Sequence, residues 1–457
     1  MALRSAIILG LFSSGLIAGS AIAEVPAEVA ARLGQDLTPL GSQQSGNKDG
    51  SIPEWTGGLS GIPDNVTYKQ GDRHPDPFAE DKPLYTITSA NMAQYADKLS
   101  QVSTSLLTTY PDAYKMNVYQ SRRTCANPPS IYEAHKKNAV VGVLMASGDG
   151  FSGSIGGVPF PITSVANENI FNQRLRYRGY KITRQYVSAA PTRNGEYSVY
   201  TVQDEVIFPY ADPTKTKVDE LDNIWAYYIN NTIAPARAAG NVVLVHDTTD
   251  AVLGQRKAWV YSPGTRRVRR APNIAYDNPS FNDDGLSTID AFNMFNGALD
   301  RYDWTYNGRN ETIISGNNYR LASDKLKYTD LFLVPVINQD YPRYELRRTH
   351  VITANMRSDT RHIYPKRIFW QDEDSYHTVA AVNYDARGAI WRVHEQFPFV
   401  HYNVPTCDTS GTVSYDLNAG RYTAQEFFNE EPSINHFADE LQVDRYTPDS
   451  IRRIGVR

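Results

Sequence analysis

The histidines of this sequence do not show a spacing that is typical of a metal or catalytic site. Nine histidines are present, and none belongs to a His-Glu-x-x-His motif, in which two histidines one helical turn apart bind zinc. His394 and His401 are seven residues apart with Pro398 between them, while His350 and His362 fall in separate predicted elements. A single histidine in a strand is more often a hydrogen-bonded structural residue. We therefore predict no metal site.

The carboxylates and the glycines also fail to indicate catalysis. Asp372, Glu373 and Asp374 form an acidic cluster between two predicted strands, in a turn where solvated acids are expected. A catalytic carboxylate pair requires a defined distance in space, which the sequence does not supply. The glycine-rich stretch 147–161 has neither the Gly-Lys-Ser/Thr ending of a phosphate loop nor a Gly-x-Ser-x-Gly motif. We predict no catalytic residue, no enzyme activity and no cofactor, and interpret 147–161 as a flexible loop with an apolar tip.

Four arginines, Arg266, Arg267, Arg269 and Arg270, form the one concentrated basic feature. They follow the predicted turn Ser262-Pro263-Gly264-Thr265 of a hairpin. One interpretation is a contact for lipid head groups, an anionic ligand group or an acidic partner. The alternative, which we prefer, is an edge strand whose charge prevents pairing with other strands. Other basic residues are scattered and the formal net charge is −4, so we predict no nucleic-acid partner.

Cys125 and Cys407 are the only cysteines. Both lie in polar, loop-like sequence. In an oxidising compartment two such residues favour one long-range disulfide, and two thiols are the alternative.

Residues 45–56 partly resemble a calcium-binding loop, because Asn47 and Asp49 are followed by Gly50 and Ile52. The twelfth position is Thr56, so the bidentate carboxylate is missing. We therefore prefer a glycine turn that presents Ile52 and Trp55 to the core.

The N-terminus is typical of a secretory leader. An apolar run from Ala6 to Ile22 follows Arg4 and ends in Ala21-Ile22-Ala23, so we expect residues 1–23 to be a signal peptide cleaved after Ala23. No later stretch approaches the roughly 20 apolar residues of a membrane-spanning helix. These features predict a secreted protein that is soluble after cleavage.

Hydrophobic periodicity predicts helices near the start of the chain and strands after residue 180. We expect residues 24–88 to form an extended arm, and residues 89–457 a single domain with a helical insertion at 283–318. Expected helices are Pro26–Leu33, Ser89–Tyr110, Ser130–Ala139, Asn167–Gly179 with Arg174, Arg176 and Arg178 facing solvent, Thr288–Leu299 and Ala424–Glu431. Expected strands number nine or ten: 181–190, 197–210, 223–232, 241–248, 257–261, 266–270, 344–353 and the meander 364–397.

Two segments carry a resemblance to a known family. WVYSPGTRRVRRAP and, about a hundred residues on, YPKRIFWQDEDSYHTVAAVNYDARGAIWRV resemble the domain of unknown function 1329 family, within the outer-membrane lipoprotein-carrier (LolA/LolB-like) superfamily. GNKDGSIPEWTGG, GGVPFP and VYQSRR agree with it. The resemblance implies a mainly β fold with α-helices, in which a curved antiparallel sheet, an open half-barrel, is covered by helices and leaves an apolar pocket.

The resemblance further implies a periplasmic carrier of a hydrophobic ligand, a lipid or lipid-like molecule, that moves it between membranes or to an envelope partner. An inner-membrane transporter or an outer-membrane protein would be that partner. The alternatives are a non-enzymatic accessory subunit of an envelope transport assembly and a hydrolase with an unrecognised site. We expect lids at 148–161 and 283–318. The candidate ligand-binding residues are aromatic: Phe160, Trp225, Tyr227, Trp259, Tyr261, Phe292, Phe295, Trp370 and Trp391.

Overall fold

A computed structural model describes residues 25–456 except 273 and 275. The expected leader and its cleavage after Ala23 lie outside the described residues. The helices are α1 (Ala27–Ala30), α2 (Gln101–Thr109), α3 (Pro129–Val141), α4 (Ala166–Leu175), α5 (Tyr328–Leu331) and α6 (Pro448–Gly455). The strands are β1 (Tyr85–Ile87), β2 (Met116–Tyr119), β3 (Val143–Leu144), β4 (Phe151–Ser152), β5 (Lys181–Ala189), β6 (Val199–Ile207), β7 (Ile224–Ala234), β8 (Val242–Thr248), β9 (Lys257–Ser262), β10 (Arg267–Arg270), β11 (Tyr302–Ser315), β12 (Tyr344–Met356), β13 (Lys366–Asp372), β14 (Thr378–Tyr384), β15 (Ile390–His401), β16 (Thr406–Asp416) and β17 (Arg421–Phe427).

One large, open sheet dominates the described residues. Its order is β1-β2-β12-β13-β14-β15-β16-β17-β5-β6-β7-β8-β9-β10, and β11 pairs with the other edge of β12. All neighbouring strands pair antiparallel, except that β2 and β12 pair parallel with each other. The predicted fold class, a curved and mainly antiparallel sheet with helices, is confirmed, although fifteen strands exceed the nine or ten predicted.

The predicted meander is β13, β14 and β15, which pair in order. The turn after β14 is fixed by Asp385, whose carboxylate accepts hydrogen bonds from the backbone N–H groups of Arg387 and Ala389 at 2.9 and 3.0 Å. Short polar turns of this kind select antiparallel neighbours, so the local sequence determined this part of the sheet.

A seam joins the two halves of the sheet. β17 lies beside β5, with Ala424 opposite Ala189 and Phe427 opposite Val187. The prediction of a helix at Ala424–Glu431 is wrong because this segment extends the sheet between β16 and β5.

Four further helix predictions are wrong in extent or type. Ser89–Tyr110 is interrupted, because Ser100 caps a new helix by accepting a hydrogen bond from the N–H of Ser103. The helix predicted from Asn167 ends at Leu175. Thr288–Leu299 contains single helical turns only, since Asn293 and Met294 have positive φ angles of 50° and 68°, which do not continue a right-handed helix. The helix predicted at Pro26–Leu33 is reduced to α1.

The segment 283–318 is partly a strand. Its second half is β11, which pairs with β12 from Tyr302 to Ser315. The tract expected as a helical insertion is therefore in part a strand of the main sheet, and only its first half is irregular.

The sheet around β13 is apolar on both faces. Ile368 and Trp370 of β13 pack in one core with α2, whereas Phe369 packs in a second core with α4. This alternation explains why the strand sequences are apolar on both sides, since each face has its own covering layer.

The acidic turn 372–374 is buried, and the prediction that it is solvated is wrong. Asp374 lies 2.6 Å from Arg123, Asp372 lies 3.1 Å from Arg347, and Glu373 lies 2.9 Å from Arg309. The same Arg123 donates hydrogen bonds to the backbone carbonyls of Gln43 and Gln44 at 2.7 and 2.8 Å. These charges therefore anchor the N-terminal arm to the sheet.

The turn at 47–52 follows the preferred interpretation. The side chain of Asn47 accepts a hydrogen bond from the N–H of Ile52 at 2.9 Å, and Gly50 has a φ of 77°. Ile52 is buried in the main core, whereas Trp55 is only half-buried.

Candidate functional site

The cavity that we identify as the candidate site lies on one face of β5–β8. The antiparallel register aligns side chains of these strands in rows across that face. The rows are Ile182, Val206, Tyr228 and Val245; Arg184, Asp204, Asn230 and Val243; and Tyr186, Val202 and Thr232. Because side chains alternate along a strand, every second residue of each strand contributes to this surface.

A covering segment, which consists of residues 276–296 together with Ile274, lies over the cavity. Ile274, Phe281, Ile289 and Phe292 contribute apolar side chains to the cavity wall. Asp290 fixes the far end of the segment, since its carboxylate lies 2.5 Å from Arg367 and 3.1 Å from His362 in a fully buried cluster.

Around Ser280 and Asn282 the covering segment is held less firmly than at Asp284 and Gly285, which accept hydrogen bonds from Arg421 and Arg392 at 2.7 Å each. The side chain of Asn282 donates to the Thr232 hydroxyl at 3.3 Å, and Gln425 donates to the Ser280 hydroxyl at 3.5 Å. Both distances are long for hydrogen bonds. Phe281 is 44% exposed although it also lines the cavity, so this part of the segment lies at the cavity mouth.

The enclosed space has a volume of about 180 Å³ and mainly apolar walls. An aromatic stack forms one end, where the rings of Phe208 and Trp225 lie 5.9 Å apart and nearly parallel. On the roof side, Phe292 contacts Tyr228 at 6.3 Å between ring centroids. This space exceeds a dry apolar cavity of about 150 Å³ that binds benzene.

The polar groups of the middle row satisfy one another. Arg184 lies 3.0 Å from Asp204 and 2.9 Å from Glu426, and the side chain of Asn230 donates to Asp204 and to the Tyr186 hydroxyl, each at 2.9 Å. Burial acts to lower the pKa of Arg184, but the two carboxylates outweigh it and hold this pKa well above its usual value. These groups thus form a structural network under the cavity.

A second ion pair closes the side of the cavity near β8. Arg256 binds both carboxylate oxygens of Asp247 at 3.1 and 2.7 Å and the Asn296 side chain at 2.7 Å. It therefore links the sheet to the end of the covering segment.

Two of the nine aromatic candidates, Trp225 and Phe292, line the cavity. Tyr227, Trp259 and Tyr261 project from the opposite face of the sheet, where they pack against the C-terminal tail with α6. The remaining four lie in other places: Phe160 and Phe295 in the core beneath α4, Trp370 in the main core, and Trp391 half-buried with its indole N–H donating to Asp416 at 3.0 Å.

Alternation of side chains along β5 to β8 was the signal that would have found the other wall residues, because each strand places its apolar side chains on two faces.

The loop 148–161, expected as a lid, is instead largely buried, with Phe151 and Ile155 in the core beneath α4. Arg174 and Arg176, expected to face solvent, are 7% and 5% exposed, and Arg178 is half-buried. Arg174 lies over the ring of Phe171 and 3.5 Å from Asp247, and Arg176 donates to the carbonyl of Gln173 at 2.6 Å.

The arginine cluster and the cysteines lie away from the cavity. Arg267, Arg269 and Arg270 are exposed on β10, the last strand of the sheet, with Arg266 in the preceding turn. Cys125 and Cys407 form a disulfide with a Cα–Cα distance of 5.8 Å across 282 residues, which confirms the predicted pairing.

The described residues contain neither a metal-binding cluster nor a membrane-spanning helix. No group of three or more His, Cys, Asp or Glu within the described residues is placed to hold a metal ion. No helix in the described part of the chain has the length and apolar composition needed to cross a bilayer.

The fold and the site define a class of β-sheet protein in which an open, mostly antiparallel sheet encloses a covered apolar cavity. The chain belongs to the family described as "Protein of unknown function (DUF1329)", whose model matches residues 86–452. The family resemblance inferred from the sequence is thereby confirmed.

Relatives of this chain include the uncharacterized protein PA3922 of Pseudomonas aeruginosa, which is 40% identical over 448 residues and 98% covered in both chains. A crystal structure of a DUF1329 family protein from Desulfovibrio piger is 11% identical, covers 60% of this chain and 92% of its own, and has a TM-score of 0.41. The LolA superfamily protein NE2245 from Nitrosomonas europaea is 12% identical, with 61% and 94% covered and a TM-score of 0.35.

Proposed function

We propose that this protein is a periplasmic binding protein that carries a hydrophobic molecule, a lipid or lipid-like compound, in the cavity between β5–β8 and the covering segment. The observation that supports this proposal is an apolar space of about 180 Å³ in a fold whose other faces are packed. Protein interiors are close-packed, so a concave space with mainly apolar walls and a few polar groups favours a binding site.

The cavity walls supply the affinity for such a ligand. Each methylene group transferred from water to an apolar wall contributes about 0.8 kcal/mol. A ring system or a short run of chain carbons that fills the space between Val206, Val245 and Phe292 therefore offsets part of the cost of association. Binding of this kind requires no covalent step.

Entry requires movement of the covering segment. Its far end is fixed by Asp290, and its near end continues from β10. Around Ser280 and Asn282 the polar contacts with the sheet are two long hydrogen bonds, whereas Asp284 and Gly285 accept hydrogen bonds from Arg421 and Arg392 at 2.7 Å each. We expect residues 280–282 to open while Asp284, Gly285 and Asp290 stay in place, because weak exposed contacts open more readily than a buried ion pair.

The first experiment is extraction of the protein purified from its native envelope, followed by mass spectrometry of the extract. A co-purified apolar compound at near-stoichiometric amount is expected. Binding is then measured with the neutral fluorescent dye N-phenyl-1-naphthylamine.

A cavity-filling variant localises the binding. Ala226 is 5% exposed and lines the cavity, so Ala226→Phe places a ring in the ligand space and is expected to weaken dye binding at least about tenfold. Ala386→Phe adds the same ring to an exposed turn and serves as the matched control, while Val206→Phe is the second filling variant. Unchanged dye binding in folded Ala226→Phe and Val206→Phe would refute the proposed site.

A further inference from the structure

One end of the cavity contains the guanidinium of Arg178, for which the described residues supply no hydrogen-bond acceptor. Arg178 lies in the connection between α4 and β5, and its guanidinium covers the ring of Phe208 at 4.8 Å from the centroid. The side chain lines the cavity. Since Phe208 stacks on Trp225, the cation lies next to the aromatic end of the apolar space.

No described residue accepts a hydrogen bond from the Arg178 side chain, and its Nε atom is buried without a partner. No carboxylate of the described residues lies within 4.0 Å of the guanidinium. The Asp408 carboxylate attracts the Arg178 guanidinium electrostatically from a greater distance. The same carboxylate lies 3.8 Å from the guanidinium of Arg176.

The neighbouring arginines differ from Arg178. Arg176 donates to the carbonyl of Gln173 at 2.6 Å and to the Asn293 side chain at 3.0 Å, and Arg184 binds two carboxylates. Burial lowers the pKa of Arg178, and Arg184 acts in the same direction. The Arg178 side chain is half-buried, and its buried Nε, which has no acceptor, is costly to the folded state. This cost indicates that acceptors for the guanidinium come from a ligand.

We propose that the ligand is an anionic amphiphile, whose carboxylate or phosphate group binds the guanidinium of Arg178 while its apolar chain lies along the sheet under the covering segment. This inference rests on the proposed function and names the chemical class of the ligand. The planar guanidinium presents paired N–H donors that match the oxygens of a carboxylate or phosphate. Ile182, Val206 and Val245, which lie in one row of the sheet, provide the adjacent apolar floor.

The test is displacement of N-phenyl-1-naphthylamine from the full mature chain at pH 7.5 by four competitors: dodecanoate, dodecyl phosphate, dodecanol and inorganic phosphate. Dodecanoate and dodecanol have the same chain length and differ in the head group. A charge-assisted hydrogen-bonded pair predicts that dodecanoate binds about 10- to 100-fold more tightly than dodecanol. Whether dodecyl phosphate or dodecanoate binds more tightly distinguishes a phosphate head group from a fatty-acid carboxylate.

Substitution of the arginine separates its role from that of the cavity. Arg178→Met is expected to abolish the preference for dodecanoate while dodecanol still binds, and Arg178→Lys to retain part of the preference. Arg269→Met removes an exposed arginine from β10 of the same sheet and should change neither competitor. If Arg178→Met does not fold, the comparison of dodecanoate with dodecanol in the wild-type protein remains decisive.

Three results would overturn the inference. Equal binding of dodecanol and dodecanoate would show that the cavity accepts apolar molecules without an anionic group, and the proposed function would stand alone. Displacement by inorganic phosphate as strong as that by dodecyl phosphate would make Arg178 a site for a free anion. Absence of dye, dodecanol and dodecanoate binding would overturn the proposed function together with the inference.

Discussion

Glu395 offers a sharp test of the buried electrostatics of the sheet. This carboxyl lies in β15 and is 4% exposed. The hydroxyl groups of Tyr114 and Tyr344 donate to its Oε1 at 2.7 and 3.2 Å, whereas Oε2 is buried without a hydrogen-bond partner. Burial raises the pKa of Glu395 to about 7, even though the two tyrosines favour the ionised form.

The direction of the pH effect follows from this raised pKa. The fold prefers the protonated carboxyl, so its contribution to the free energy of unfolding is fully present below the unfolded pKa of 4.5 and is lost as the pH rises through 7. Between pH 5 and pH 8 the loss amounts to roughly 2.5 kcal/mol. Glu395→Gln keeps an acceptor for both tyrosines and does not titrate.

The measurement is urea unfolding of the wild-type protein and Glu395→Gln at pH 5 and pH 8. From pH 5 to pH 8, the wild-type protein is expected to lose roughly 2.5 kcal/mol of unfolding free energy relative to Glu395→Gln. All other titrating groups cancel in this comparison. Glu80→Gln, at an exposed position, is the control. A movement below roughly 0.5 kcal/mol, within the error of such measurements, would show that the carboxyl is not desolvated as the structure indicates.

Three further predictions concern stability. Cys125→Ala with Cys407→Ala should lower the free energy of unfolding by about 3–5 kcal/mol, since the disulfide closes a loop of 282 residues; an unchanged urea midpoint would contradict this. Arg123→Ala should cost about 3–5 kcal/mol, because it removes the nearer of the two arginines that pair with the buried Asp374. It should also expose the N-terminal arm to limited proteolysis, whereas Arg387→Ala, at a side chain that is 81% exposed, should do neither. The melting temperature should fall from pH 7.5 to pH 5, because histidines with lowered pKa values stabilise the fold above pH 6.5. The contribution of each such histidine to the free energy of unfolding decreases by about 2 kcal/mol by pH 5. A rise in melting temperature would contradict the observed burial. Burial lowers these pKa values to about 4 for His74 and His436 and to about 3 for His135, His350 and His394.

The sequence predicted the elements that are determined locally. The turns at 262–265 and 385–388 contain the residues that tight turns require, and the strands around them alternate between two apolar faces. β11 was missed because asparagine, glycine and arginine from Asn307 to Asn310 resemble a loop, although exposed and buried side chains alternate from Tyr302 to Asn307. Composition dominated the interpretation where periodicity was the better signal.

Features that depend on distant residues were beyond local reasoning. The acids 372–374 are buried because Arg123, Arg309 and Arg347 approach them from separate parts of the chain. In the same way, Trp225 lines the cavity and Tyr227 packs behind it. A register shift between Ile224 and Ala226 changes which side of the sheet Trp225 faces, and an aromatic sequence alone does not reveal this.

The seam between β5 and β17 has a consequence for how the chain reaches its final state. β5 is separated from its neighbour by more than two hundred residues, and contacts of such long range slow folding. A polypeptide that emerges from its amino terminus keeps the edge of β5 unpaired until the last forty or so residues are free. During that interval the exposed backbone is open to pairing with other chains, so biogenesis of this protein depends on protecting that edge until β17 arrives.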